Sequence, residues 1–134
     1  LRGIVYQEVF GPDPAQVDSS ITQLREQVQA LMPLASDRVR IGVSPHAPYT
    51  VSDALYRATV ALAAAEKLPI ALHVAESVAE RDLVVSGSGD FAPGLRTRGI
   101  ETKPRGRTPI EMLQRLGVLE HRPLLIHCVD LDDE

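Results

Sequence analysis

The chain has a single cysteine, Cys128, which excludes an intrachain disulfide framework and suits a reducing, cytoplasmic setting. Basic surplus is also missing. The formal net charge is −4 and no run of Lys and Arg tracks along the sequence, so no nucleic-acid partner is expected. No apolar run approaches the roughly 18 residues of a spanning helix, so no membrane partner is expected either. The first residues carry neither the basic nor the apolar segment of a signal peptide. There is no internal repeat and no low-complexity tract. What remains is about one domain's worth of chain, 134 residues, with 44% apolar residues to build a core.

Four strand-like runs are present. Ile4–Phe10 ends at Gly11-Pro12, Val39–Ser44 ends at Pro45, Ile70–Val74 follows Pro69, and Pro123–Val129 comes last. Helical patterns lie between them. Asp13, Pro14 and Gln16 read as a capping box opening a helix whose apolar stripe is Val17, Ile21, Leu24, Val28 and Leu31. A second helix is expected from about Ser52 to Lys67. A third starts at the Ser77-x-x-Glu80 capping box and runs through about Val85, broken by Gly87-Ser-Gly-Asp90, and a fourth starts at Thr108 and ends at Gly117. Residues 87–107 read as irregular and locally basic, through Arg96, Arg98, Lys103, Arg105 and Arg107. They fit a solvated surface loop or a substrate clamp.

The order β-α-β-α-β-α-loop-α-β, with near-continuous apolar strands, implies an α/β fold with a parallel sheet covered by helices. No Gly-rich phosphate loop follows any strand, which argues against a nucleotide-binding open sheet. Four parallel strands with intervening helices are half of a (β/α)8 barrel, and a partial TIM barrel is the expected fold. Leu1 already lies inside a strand-like run, and Asp132-Asp133-Glu134 looks like a helix start. Both ends point to an internal piece of a longer protein.

His46, His73 and His127 fall at or just past the C-terminal ends of three successive strands. That edge is where barrel and open α/β folds build their sites. A lone strand-end histidine is most often structural; three in matching places point to metal chemistry, because imidazole is the commonest protein ligand for zinc and related ions. Glu76, three residues past His73, is placed to carry a proton for a metal-activated water; its bland reading is an acid at a helix N-terminus. Cys128 neighbours His127 in the strand and should face away from it. His121 reads as solvated surface. Glu8 either lines the same mouth or is an edge charge.

Ser-Pro-His-Ala-Pro-Tyr-Thr (44–50), His-Val-Ala-Glu-Ser with Glu80 (73–80) and Leu-Ile-His-Cys-Val (125–129) together resemble the amidohydrolase superfamily. The branch is that of nucleobase and nucleoside deaminases, including methylthioadenosine/S-adenosylhomocysteine and aminofutalosine deaminases and chlorohydrolase-like enzymes. Tyr-Gln-Glu-Val-Phe-Gly (6–11) extends the match more weakly. The resemblance implies hydrolytic deamination of a heterocyclic amine, a small-molecule substrate and a divalent metal, zinc or iron. It gives His73 as metal ligand and Glu76 as the catalytic proton shuttle, also touching substrate. It gives His127 as the catalytic residue beside the attacking water and His46 as a substrate contact. A homo-oligomer of the full-length enzyme is compatible with it.

Two other readings stand beside this one. A barrel glycosidase would use the carboxylates of Glu8 and Glu76, and a non-catalytic α/β binding module would use the histidines structurally. The family's His-x-His pair does not occur in these residues, nor does its last-strand aspartate, so residues 1–134 are expected to be the central part of a catalytic barrel, inactive alone. The full gene should therefore encode a His-x-His upstream and a strand-end Asp downstream. Sequencing the flanks checks this, and a gene without them contradicts the resemblance.

Overall fold

Residues 2–131 are described by the computed structural model. The elements are β1 (Gly3–Val9), α1 (Val17–Leu31), β2 (Val39–Pro45), α2 (Asp53–Glu66), β3 (Ala71–Val74), α3 (Val78–Ser86), α4 (Ala92–Thr97), α5 (Pro109–Arg115) and β4 (Leu124–His127). No described helix is long and apolar enough to cross a membrane. The helix start expected at residues 132–134 lies outside the described residues.

Every strand pairing is parallel. β1 runs beside β2 from Gly3–Val39 to Val9–Pro45, and β3 beside β4 from Ala71–Leu124 to Val74–His127. These are two two-stranded sheets, where the sequence led us to expect one four-stranded sheet. The seam between β2 and β3 has a single bridge, Val43 with Ile70. Hydrogen bonds that cross it include Val43 N–H to the Pro69 carbonyl at 3.0 Å and His73 N–H to the His46 carbonyl at 2.8 Å. Prolines explain the thin seam: Pro45 and Pro69 have no N–H to give to a ladder.

The helices cover this parallel layer because their apolar stripes have nowhere else to go. Leu24 and Val28 of α1, Leu55 and Tyr56 of α2, Val84 of α3 and Met112 and Leu113 of α5 are fully or almost fully buried in one cluster with Val43, Leu72 and Val74. Each Val, Leu or Met among these contributes about 1.5–3 kcal/mol relative to exposure. Val17, Ile21 and Leu31 complete the α1 stripe at its edge, partly buried.

Local signals set the helix ends. Ser52, Ser77 and Thr108 accept the backbone N–H of Leu55, Glu80 and Glu111, and Lys67 and Gly87 close α2 and α3 in the left-handed conformation. The capping box at Asp13 does not form as expected. Its carboxylate takes the Ala15 N–H, Gln16 bonds back to the Asp13 carbonyl, and a 3-10 turn over Pro14–Gln16 precedes α1. The stretch 87–107 is not wholly irregular, since α4 forms inside it despite Pro93 and Gly94. Proline is well tolerated in a first helical turn, and Pro93 sits there.

Gly42 sits where β2 meets both neighbours. A Cβ there would lie 2.7 Å from the Pro69 carbonyl oxygen and 2.7 Å from the Tyr6 ring. Gly42→Ala in the full-length protein should therefore cost about 1–3 kcal/mol of stability through overpacking. A chemical-denaturation midpoint measures it; an unchanged midpoint would mean that the seam is looser than the geometry shows.

Candidate active site and metal centre

The site is built by backbone pairing at the strand ends. The His46 N–H bonds to the Val9 carbonyl at 3.2 Å, and the His46 carbonyl accepts the His73 N–H. His46 is thereby fixed between β1 and β3. The His46 and His73 ring centroids lie 4.9 Å apart, and those of His73 and His127 lie 5.1 Å apart. The three histidines form a row, as their strand-end positions implied.

His127 reaches this row by leaving the strand geometry. It is in register with Val74, and regular alternation would send its ring to the face opposite His73. Its φ of 75° breaks the alternation, and Cys128 follows with φ 54°. The expectation that the two residues simply occupy opposite faces of one strand is thus corrected: β4 ends at His127, and both adopt left-handed backbone. Cys128 is partly buried against the core. Left-handed conformations at non-glycine residues are costly and persist where the surroundings hold them. Here Cys128 N–H bonds to the Val74 carbonyl, while Val129 and Asp130 N–H groups both bond to the Ala75 carbonyl.

Glu76 lies beside this row. Its Oε1 is 3.8 Å from His127 Nε2, and its Oε2 accepts a hydrogen bond from the Tyr49 hydroxyl at 3.0 Å. Glu8, which the sequence left undecided, lines the mouth: its Oε1 is 3.8 Å from His73 Nε2. Two donor clusters result, Glu8–His46–His73 and His73–Glu76–His127, in each of which the ligand atoms lie within 4.8 Å of one another. His73 belongs to both. His121 is exposed in the 3-10 turn before β4, away from the cluster.

The sequence assigned no role to several neighbours, although Tyr49 and Thr50 lie in the 44–50 stretch. Thr50 Oγ1 lies 2.7 Å from His46 Nδ1 and donates its own proton to the Ala47 carbonyl. It therefore accepts from His46 Nδ1–H, and Nε2 is left with a lone pair. Burial lowers the His46 pKa, with the Glu8 carboxylate opposing, His73 adding to the fall and Glu76 opposing, so the ring is held neutral. Tyr49 stacks on Phe91 at 4.4 Å and meets His46 edge-on. Burial, then the bond to Glu76, push its phenol up to about 12, so it stays a donor at neutral pH. Phe10 packs against His46 at 4.7 Å.

Arg105 holds the loop that carries Tyr49 and Thr50. Its guanidinium donates to Asp53 Oδ1 at 2.7 Å, to the Val51 carbonyl at 2.9 Å and to the Pro48 carbonyl. Arg96 likewise donates to the Gly87 carbonyl and Thr102. Arg105 and Arg96 of the basic stretch thus bond within the protein itself; Arg96, Arg98, Lys103 and Arg107 are exposed, and Arg105 is half-buried. A cleft of about 270 Å³ lies behind Tyr49, lined by Pro48, Val51, Leu83, Leu95 and Arg105; none of the three histidines lines it.

A parallel α/β layer thus carries clustered imidazoles and carboxylates at its C-terminal edge, donor groups of the kind that could hold a metal ion. The chain belongs to the amidohydrolase family, whose model matches residues 5–94. It is 36% identical to the aminodeoxyfutalosine deaminase of Deinococcus radiodurans over 98% of its own length and 34% of that protein's. It thus spans about a third of the length of that curated relative. Its fold is similar to that of Helicobacter pylori aminofutalosine deaminase, with a TM-score of 0.73 at 17% identity, over 84% of this chain and 28% of the other. It is also similar to an adenosine deaminase from Xanthomonas campestris with bound zinc, with a TM-score of 0.61 at 22% identity, over 99% of this chain and 27% of the other.

Replacing Arg105 by Met removes the fork and keeps the stem. Charge-assisted hydrogen bonds are worth about 1.5–3 kcal/mol each, so amide exchange across residues 47–53 should quicken about tenfold or more. Hydrogen–deuterium exchange on the full-length protein measures it, and unchanged exchange would show that the loop is held by other means.

Proposed function

We propose that this chain is the central part of a (β/α)8 catalytic barrel that hydrolyses the C–N bond of an aminated nucleobase or nucleoside. The observation that carries this reading is the convergence of His46, His73, His127 and Glu76 on one strand-end mouth. The named activities of the relatives support the reaction class, and the Deinococcus protein supports aminodeoxyfutalosine as the first substrate to try.

The donor set fits a divalent metal. Imidazole nitrogens with adjacent carboxylates are what zinc and similar ions take, and His73 is the donor common to both clusters. His73 would hold the metal, with further ligands from outside these residues. Zinc is favoured by the Xanthomonas structure, with iron as the alternative. Bound there, a divalent ion supplies Lewis acidity that makes water a nucleophile at neutral pH.

The chain's own residues do the rest. Glu76 Oε1 and His127 Nε2, 3.8 Å apart, are too far for a direct hydrogen bond and share a third group, the attacking water. Glu76 carries one proton from the attacking water to the ring nitrogen, then the water's second proton to the departing amino group, which leaves a carbonyl on the ring. A C–O bond forms, the C–N bond breaks and ammonia leaves. Tyr49 holds Oε2, so the proton moves at Oε1. His46, neutral with Nε2 unprotonated, accepts a donor group of the substrate. Glu8 and Glu76 each face a histidine, which does not favour a glycosidase pair.

The full-length protein should bind a stoichiometric divalent metal and release ammonia from aminodeoxyfutalosine. Glu76→Gln should lower kcat about 10²–10⁴-fold, as for loss of a general acid–base group. His73→Ala should abolish both metal binding and turnover. A metal-free wild type, or an active His73→Ala, would overturn the reading.

A further inference from the structure

Among the described residues, Glu80 is the one charged side chain in the buried class, at 0% exposure. A capping box would return its carboxylate to the N-cap residue Ser77. Instead it reaches further back: Oε1 accepts the Ala75 N–H at 2.8 Å and Oε2 accepts the Glu76 N–H at 3.2 Å. Ser77 completes its half of the box by accepting the Glu80 N–H at 3.3 Å.

The two amides that Glu80 grips flank the turn that aims the proton shuttle. Ala75 is buried with φ 53°, a left-handed backbone that an alanine adopts only when held. Its carbonyl, on the other side, receives the N–H groups of Val129 and Asp130, which close the turn after His127. One strained residue thus links the carboxylate of Glu80 to the backbone under both Glu76 and His127. Arg81, next to Glu80 on α3, holds Asp130 by an ion pair at 2.9 Å and ties the same turn from its far side.

We infer that Glu80 is a positioning residue for the deamination site, a buried anion whose two backbone hydrogen bonds hold Ala75 left-handed and so fix Glu76 and His127 against each other. This rests on the deaminase reading for its effect on turnover. Burial raises the Glu80 pKa, the two N–H bonds oppose that rise, and the nearby Glu76 and Asp130 carboxylates add to it. A glutamine at this position has one acceptor oxygen for two N–H groups and sets an NH₂ against the other. A misplacement of about 1 Å at a reacting group costs up to about 10²-fold in rate.

The experiment uses the full-length, metal-loaded protein with aminodeoxyfutalosine as probe, and compares wild type, Glu80→Gln, and Glu80→Gln combined with Ala75→Gly. Glu80→Gln should lower kcat about 10²-fold with KM within about threefold and metal content unchanged. Exchange at the Ala75 and Glu76 amides should quicken. Glycine takes the left-handed conformation without steric cost, so the double variant should recover about tenfold of the lost kcat. If Glu80→Gln does not fold, Glu80→Asp, with the carboxylate drawn back by one methylene, should show the same split. Full kcat in the variants that fold, or a loss that Ala75→Gly does not relieve, would reduce Glu80 to a core residue. A wild type that releases no ammonia would instead contradict the deaminase reading, while the amide exchange still tests the grip on Ala75 and Glu76.

Discussion

The hydrogen bond from His73 N–H to the His46 carbonyl, 2.8 Å long, is the joint on which the site depends. It crosses the seam between the sheets, and it sits at the C-terminal edge beside the clustered histidines. Parallel pairing sets the strands side by side pointing one way, so residues at matching strand ends become neighbours whatever their distance in sequence. The buried bodies of β2 and β3, with Val43, Leu72 and Val74 under the helices, keep that joint from sliding. A one-residue slip would send His73 to the opposite face.

Beyond this edge the backbone is strained. Ala75, His127 and Cys128 all have positive φ, and none is glycine. The strain is compensated locally by hydrogen bonds: from Cys128 to Val74 and from Val129 and Asp130 to Ala75 between the two strand-end turns, and from Ala75 and Glu76 to Glu80 of α3. The turns of the mouth thus hold each other. On its other flank, Arg105 and the Tyr49–Phe91 stack hold the loop after β2. Glu76 is gripped from both sides, its side chain by Tyr49 and its backbone by Glu80.

Much of this was legible because it is local. Proline and glycine mark the strand ends, Ser52, Ser77 and Thr108 mark the helix starts, and the three strand-end histidines with Glu76 stand out by position alone. The same residues carry the family resemblance. What was not legible depends on long-range or backbone detail. Tyr49 meets Glu76 across 27 residues of sequence and Arg105 meets Asp53 across 52, distances that no spacing rule encodes. The turn of His127 toward His73 needs a positive φ that strand alternation would deny. Glu80 was visible as a cap, but its reach past Ser77 follows from the bend at Ala75. The helix α4 was hidden by the proline and glycine within it.

The claim that the strand-end cluster is a metal-centred catalytic site stands or falls on where a metal sits. Anomalous diffraction from crystals of the full-length protein, recorded across the zinc and iron absorption edges, locates it directly. The account expects one peak within about 2.0–2.2 Å of a ring nitrogen of His73, with Glu76 and His127 beside it. A metal bound away from His73, or none in a protein that still turns over, would contradict it.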